Sequence, residues 1–302
     1  MGQPADGWFE RDGVDLHFLE WNREAGHEAS AVLLLHGLSS NAHYWDRLAS
    51  RLTQMRLVAL DQRAHGLTGR EPHAPRLPEG LAMEELVGDA VAVIRERELA
   101  RPLVVGHSWG ATVGLELAGR HSDLVSGLVF IDGPIQSAAN LFSWEEAQGF
   151  MQPPLPRYST FAEAVADSRR DFDGAWAEDL EPFVLSRLMQ SGTEFVLTLT
   201  SEARLELLRG LYDSPVDQLW DDLESPALAM LARGGPSRMA DSRAAGARRL
   251  AASNPSVRVR WFDTPHDIPL FAPDEVAEEV RRVAAEARPV GSEAAVGNEL
   301  EG

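Results

Sequence analysis

Residues 103–114 read LVVGHSWGATVG: an apolar run that ends at Gly106, one hydroxyl at Ser108, a second glycine at Gly110, then small residues. A chain that reverses sharply needs residues without bulk on both sides of the bend. In GxSxG, here Gly106-His107-Ser108-Trp109-Gly110, a strand passes through such a bend into a helix and leaves the serine hydroxyl standing over the carboxyl end of its sheet. Taken alone, the pattern also describes a plain glycine-softened turn. Its surroundings give it weight: the strand LVV precedes it, the helical stretch ATVGLELAGRH follows, and Gly110, Ala111 and Gly114 allow that helix to lie close to the sheet.

The rest of the chain fits that reading. Short apolar runs bounded by turn residues fall at 31–35, 57–60, 103–105, 128–131, 227–231 and 257–262, and they resemble buried strands. Between them lie segments with helical spacing, at 44–52, 83–99, 111–120, 242–252 and 273–287, the last opening on Pro273 as a first-turn residue. Strand and helix in alternation predict an α/β fold, a mostly parallel central sheet covered by helices on both faces. An early pair, 8–11 and 14–20 around Asp12-Gly13, predicts an antiparallel hairpin at the sheet edge. The alternation lapses from Pro134 to about Leu223, where aromatic residues and helical periodicity, around 177–189 and 195–208, predict a helical insertion. The expected organisation is a core of residues 1–133 and 224–288, a helical cap over 134–223, and a disordered tail over 289–302.

Composition removes several chemistries. The 302 residues include no cysteine, which excludes disulfides, thiolate nucleophiles and cysteine zinc sites. They include no lysine either, which excludes a Schiff-base mechanism. Acidic residues outnumber basic ones by 47 to 28, and a net charge of −19 argues against nucleic acid or an anionic membrane surface as partner; a small, weakly charged molecule suits the surface better. The N-terminal MGQPADGWFERDG has no basic start or apolar core, and no apolar stretch approaches transmembrane length, so a soluble cytoplasmic protein is expected. No metal-ligand spacing such as HExxH occurs, and no cofactor is expected.

A serine hydroxyl is a weak nucleophile until a base takes its proton. Of nine histidines, His266 is the candidate: it follows the last strand within DTPHDIPLFAP, at the same sheet edge as Ser108, whereas His36 sits in the LLLHG turn and His107 points away within the elbow. The tetrahedral intermediate of acyl transfer needs backbone N–H donors, each worth roughly 2.7–4 kcal/mol. The candidates are the N–H of Leu38, after the His36-Gly37 turn, and that of Trp109, next to the serine.

Four segments together, LLLHGLSSNAHYW, LVALDQRAHGLTGR, VVGHSWGATVG and DTPHDIPLFAPDEVAEEV, resemble the α/β-hydrolase superfamily, and the likeness runs from about residue 8 to 287. The segment Asp61-Gln62-Arg63-Ala64-His65-Gly66 resembles the family's DxRGxG loop with alanine for one glycine. The resemblance implies the chain order serine, acid, histidine, and makes the insertion after the sixth strand a cap over the site. Most members carry the acid after the seventh strand in a GxxD pattern; here Gly235, Pro236, Ser237 and Arg238 stand there. Asp132 ends the sixth strand, where haloalkane dehalogenases and certain lactone hydrolases place theirs, and is preferred. Asp241 is the alternative, although it or Ser242 also reads as a helix N-cap. Asp267, beside the base, is a weaker third.

Serine rather than aspartate at the elbow speaks against alkyl-enzyme dehalogenation and epoxide opening, and leaves acyl-enzyme chemistry. The expectation is a carboxylic ester or lactone hydrolase for small, largely apolar molecules. The alternatives are a ligand-binding or sensing protein with little turnover, a cofactor-free perhydrolase, and a carbon–carbon bond hydrolase. Candidate substrate contacts are His36, Gly37, Trp144 and Phe150, with Leu38 and Trp109 narrowing the site.

Overall fold

A computed structural model describes residues 3–25, 31–71, 74–75 and 80–287. Its centre is an eight-stranded sheet of β1 (Ala5–Arg11), β2 (Val14–Trp21), β3 (Ala31–Leu35), β4 (Arg56–Leu60), β5 (Leu103–His107), β6 (Gly127–Ile131), β7 (Ala227–Ala232) and β8 (Arg258–Phe262). The order across the sheet is β1-β2-β4-β3-β5-β6-β7-β8. The β1–β2 hairpin joins β4 antiparallel, and every other pairing is parallel. The register pairs Leu35 with Gly106 and His107 with Ile131, so the carboxyl ends of β3, β5 and β6 meet along one edge.

Successive strand side chains point to opposite faces, and two apolar layers result. Leu33, Leu35, Val104 and Leu128 pack with helices α1 (Met83–Glu96) and α2 (Trp109–Arg120) on one face. Val32, Leu34, Val105 and Val129 pack on the other face with Tyr44, Trp45 and the Val276-Val280-Val283 stripe of the closing helix Pro273–Glu286. Because helices cover both faces, β5, β6 and β7 are buried at every position, which is why they read as unbroken apolar runs.

Residues 134–223 hold helices α3 (Trp144–Met151), α4 (Phe161–Asp171), α5 (Glu181–Ser186), α6 (Ser201–Asp213) and α7 (Val216–Asp221). The segment is not purely helical, as the sequence suggested. Leu188–Ser191 and Glu194–Leu197 form an antiparallel hairpin, and Arg157–Tyr158 adds a third strand. The helices expected over 177–189 and 195–208 are therefore broken up. Gly192, at φ +63°, heads a two-residue turn between the paired Ser191 and Glu194, a hairpin geometry that favours glycine in its first turn position.

Two other boundaries move. Residues 44–52 form a 3-10 turn, Ala42–Trp45, and a single α turn, Asp46–Ala49. The helix expected from 242 begins earlier and becomes α8 (Ser237–Ser253), with Pro236 as its N-cap, so Asp241 and Ser242 lie inside the helix and cap nothing. The closing helix is α9 (Pro273–Glu286). The tail over 289–302 lies outside the described residues. No helix among them is long and apolar enough to cross a membrane.

Candidate active site

Ser108 leaves β5 at φ +54°, ψ −120°, in a region that costs a non-glycine residue about 1–3 kcal/mol. Its N–H donates to the carbonyl of Ile131 at 2.8 Å, and its own carbonyl accepts from Ala111 N–H at 3.1 Å. The two glycines around it have no room for a side chain. A Cβ on Gly106 would stand 2.4 Å from the carbonyl oxygen of Gly110, and one on Gly110 would stand 2.3 Å from that of His36. The GxSxG spacing is thus a consequence of backbone meeting backbone on both sides of the strained residue.

His266 follows β8, and its Nδ1 lies 2.6 Å from Asp132 Oδ2. Asp132 follows β6 at φ +46° and is buried. Its Oδ1 accepts the N–H of Ala232 at 2.9 Å, and the same Oδ2 accepts Arg243 Nη2 at 2.6 Å. The structure therefore brings His266 to Asp132. Asp241, the alternative, is exposed on α8, and Asp267 accepts the Tyr44 hydroxyl at 3.2 Å.

Burial alone would push the His266 imidazole down; the hydrogen bond to Asp132 and its negative charge outweigh that, and the net shift is upward. His107 behaves in the opposite way. Burial, with the neighbouring His266, lowers it to about 3. Neutral His107 stacks on Tyr44 with centroids 4.8 Å apart, and its Nε2–H donates to the His266 carbonyl at 3.2 Å. The residue before the serine thus holds the loop that carries His266, a contact no sequence motif announces.

Ser108, Asp132, His266, Leu38 and Trp109 all line one cavity of about 300 Å³. Trp109 is the first residue of α2, where an N–H has no intrahelical acceptor, and the Leu38 N–H finds no acceptor among the described residues. The walls are mostly apolar, with Ile135, Leu141, Met151, Leu208, Leu211 and Met239 prominent. Two of its polar side chains are bound to backbone: Gln136 Nε2 donates to the Ser242 carbonyl at 3.0 Å, and the Tyr212 hydroxyl to that of Phe142 at 2.9 Å.

The expected substrate contacts are placed differently. His36 is fully buried, with Nδ1 2.8 Å from the Gly37 carbonyl and Nε2 accepting the Gln62 N–H at 3.1 Å, so it braces the turn behind the serine and is absent from the wall. Gly37 lies beside it, where a Cβ would stand 3.2 Å from that of Ser108, and it too is off the wall. Trp144 meets Tyr212 edge-on at 5.4 Å and lies 5.0 Å from the Arg209 guanidinium, outside the wall. The Phe150 side chain lies outside what the structure describes. Among the described residues no group of three or more His, Asp or Glu could hold a metal ion.

A family profile described as "Alpha/beta hydrolase family" matches residues 32–279. The chain is similar to Lipase LipV of Mycobacterium tuberculosis, 26% identical over 279 residues that cover 89% of this chain and 97% of the lipase. It is 32% identical over 152 residues to Epoxide hydrolase 3 of Xenopus tropicalis, which covers 47% of this chain and 38% of that protein. Among solved structures, the thioesterase domain from the curacin biosynthetic pathway superposes with a TM-score of 0.73 at 17% identity, over 93% of this chain and 100% of that one.

Proposed function

The chain belongs to the alpha/beta hydrolase family and is a hydrolase, and from that premise we propose that it cleaves carboxylic esters or lactones of small, largely apolar molecules through an acyl-enzyme. The observation that carries this reading is the 2.6 Å contact of His266 with Asp132 on the cavity that also holds the strained Ser108.

Ser108 Oγ attacks the carbonyl carbon while His266 Nε2 takes its proton, and Asp132 stabilises the resulting imidazolium through Nδ1–H. The oxyanion is received by the N–H groups of Leu38 and Trp109. The imidazolium then gives its proton to the departing alkoxide. Water, deprotonated by His266, attacks the acyl carbon, and the collapse returns the serine and releases the acid. An apolar wall whose charged members, Asp132, His266 and Arg243, are bound to each other favours an uncharged substrate. The match to a lipase along nearly its whole length supports ester cleavage.

The lack of a carboxylate just after β7 would favour a binding protein, and in this reading Asp132 fills that role. Short nitrophenyl esters and simple lactones test the proposal. A burst of nitrophenol followed by steady turnover is expected. Labelling of Ser108 by a fluorophosphonate with no turnover of any ester or lactone would replace it with the binding reading.

A further inference from the structure

Arg243 is a cation inside the site that no motif pointed to. It projects from α8 and is 7% exposed. Its Nη1 donates to the Gly234 carbonyl at 3.0 Å, and its Nη2 to Asp132 Oδ2 at 2.6 Å. That oxygen also receives His266 Nδ1 at 2.6 Å, while Oδ1 is taken by the Ala232 N–H. A buried carboxylate needs a charged or hydrogen-bonding partner at all times. With His266 uncharged, as the general base must be before reaction, Arg243 is the positive charge bound to Asp132. The helix that follows β7 thus supplies a cation to the carboxylate that ends β6.

Resting on the reading of Ser108, His266 and Asp132 as an acyl-transfer site, we propose that Arg243 is a positioning residue of that site. It fixes Asp132 and competes for Oδ2, which limits how strongly the carboxylate favours a charged imidazole and keeps His266 ready to accept the serine proton.

The charged and titratable groups facing His266 are Asp132 from the end of β6, Asp267 beside it, Arg243 from α8, and His107 from β5, whose ring centroid is 4.7 Å away. Tyr44 faces it too, through Asp267, and stays protonated because burial and that aspartate push its hydroxyl upward. Neutral His107 adds no charge at working pH. Burial and Arg243 therefore push the imidazole down, and Asp132 and Asp267 push it up. Removing the guanidinium takes away one downward push and releases Oδ2 to His266, and both effects favour the protonated ring.

The test compares Arg243→Gln, which loses the charge, with Arg243→Lys, which keeps it. The His266 ring protons are titrated by NMR in the full chain, assigned against His266→Gln, and kcat/KM is followed against pH on a neutral nitrophenyl ester. Arg243→Gln should raise the His266 midpoint by about one pH unit, the lower end of shifts caused by a neighbouring charge, and Arg243→Lys should restore most of it. The acid limb of kcat/KM should move up with the midpoint in Arg243→Gln and move back in Arg243→Lys. An unchanged midpoint in folded Arg243→Gln would overturn the proposal and leave Arg243 as charge balance alone.

Should Arg243→Gln fail to fold, Arg243→Met, which fills the same space without charge and leaves the Asp132 carboxylate in place, is titrated in the same way. Its His266 midpoint should rise by a similar amount, and an unchanged midpoint overturns the proposal. The titration is read on the ring, so a lack of esterase activity would count against the proposed function and leave this result standing.

Discussion

The carboxyl edge of the parallel strands and the segment 134–223 laid over it obey different constraints. At the edge, backbone touches backbone: Gly106 against Gly110, Gly110 against His36, Ser108 against Ile131. Few residue types satisfy such contacts, so each position advertises itself. In the segment, short helices and half-buried strands lie on the core through ordinary apolar contacts, such as Leu207 and Leu208 of α6 and Phe183 and Val184 of α5. Many sequences serve there equally well. In the proposed reading the chemistry sits where sequence freedom is least, and the shape of the chamber is set where it is greatest.

The largest effect with which to break this contrast is at the elbow. Ser108→Ala should lower turnover about a million-fold, as removal of such a nucleophile does elsewhere, while the thermal midpoint stays within a few degrees of wild type. Ester hydrolysis assayed against folding by circular dichroism checks it. Activity near wild type would move the chemistry away from the constrained edge.

The acid gives the next effect. Asp132→Asn should cost about ten-thousandfold in kcat, because the wrong imidazole tautomer is then held, and Asp241→Asn should cost nothing measurable. Steady-state kinetics of the two variants side by side checks this. The sequence left both aspartates open, and helix geometry separates them. With α8 starting at Ser237, Asp241 is exposed, and Arg243, two residues and about 200° further round, turns to the sheet edge. A helix start placed five residues late hid both facts. Proline at 236 was the missed signal, together with the stretch Ser237–Ser253 that follows it without a break.

The placement of Ser108 and His266 on one cavity, and the eight strands, were legible because each depends on local pattern: a bend that admits only glycine, an apolar run closed by turn residues. The chamber wall was not. Ile135, Leu141, Met151, Leu211 and Met239 reach it from separate stretches of chain, and no spacing in sequence reports a surface assembled from distant pieces. Tryptophan and phenylalanine drew attention to Trp144, yet its ring is spent on Tyr212 and Arg209. The hairpin at 188–197 was hidden for a related reason: Gly192 decided it, while the flanking Phe195 and Val196 suit a helix face or a strand alike.

The smallest effect sharpens the comparison most, because it sets two residues of the same helix against each other. Met151 lines the chamber from the end of α3 and is half-buried, so a larger ring there can fit without straining the core; Trp144, at the start of that helix, does not face the chamber. Met151→Trp should leave a two-carbon acyl ester nearly unaffected. It should lower kcat/KM for a longer-chain ester about tenfold, mainly through KM, in line with the discrimination available from a hydrophobic pocket. Trp144→Ala should lose some stability and leave the chain-length preference unchanged, since its ring supports neighbours and not substrate. Chain-length series on the two variants decide the matter. A shifted preference in Trp144→Ala with none in Met151→Trp would mean that the aromatic residues of the segment reach the substrate after all, and that its composition was a better guide to the chamber than its packing.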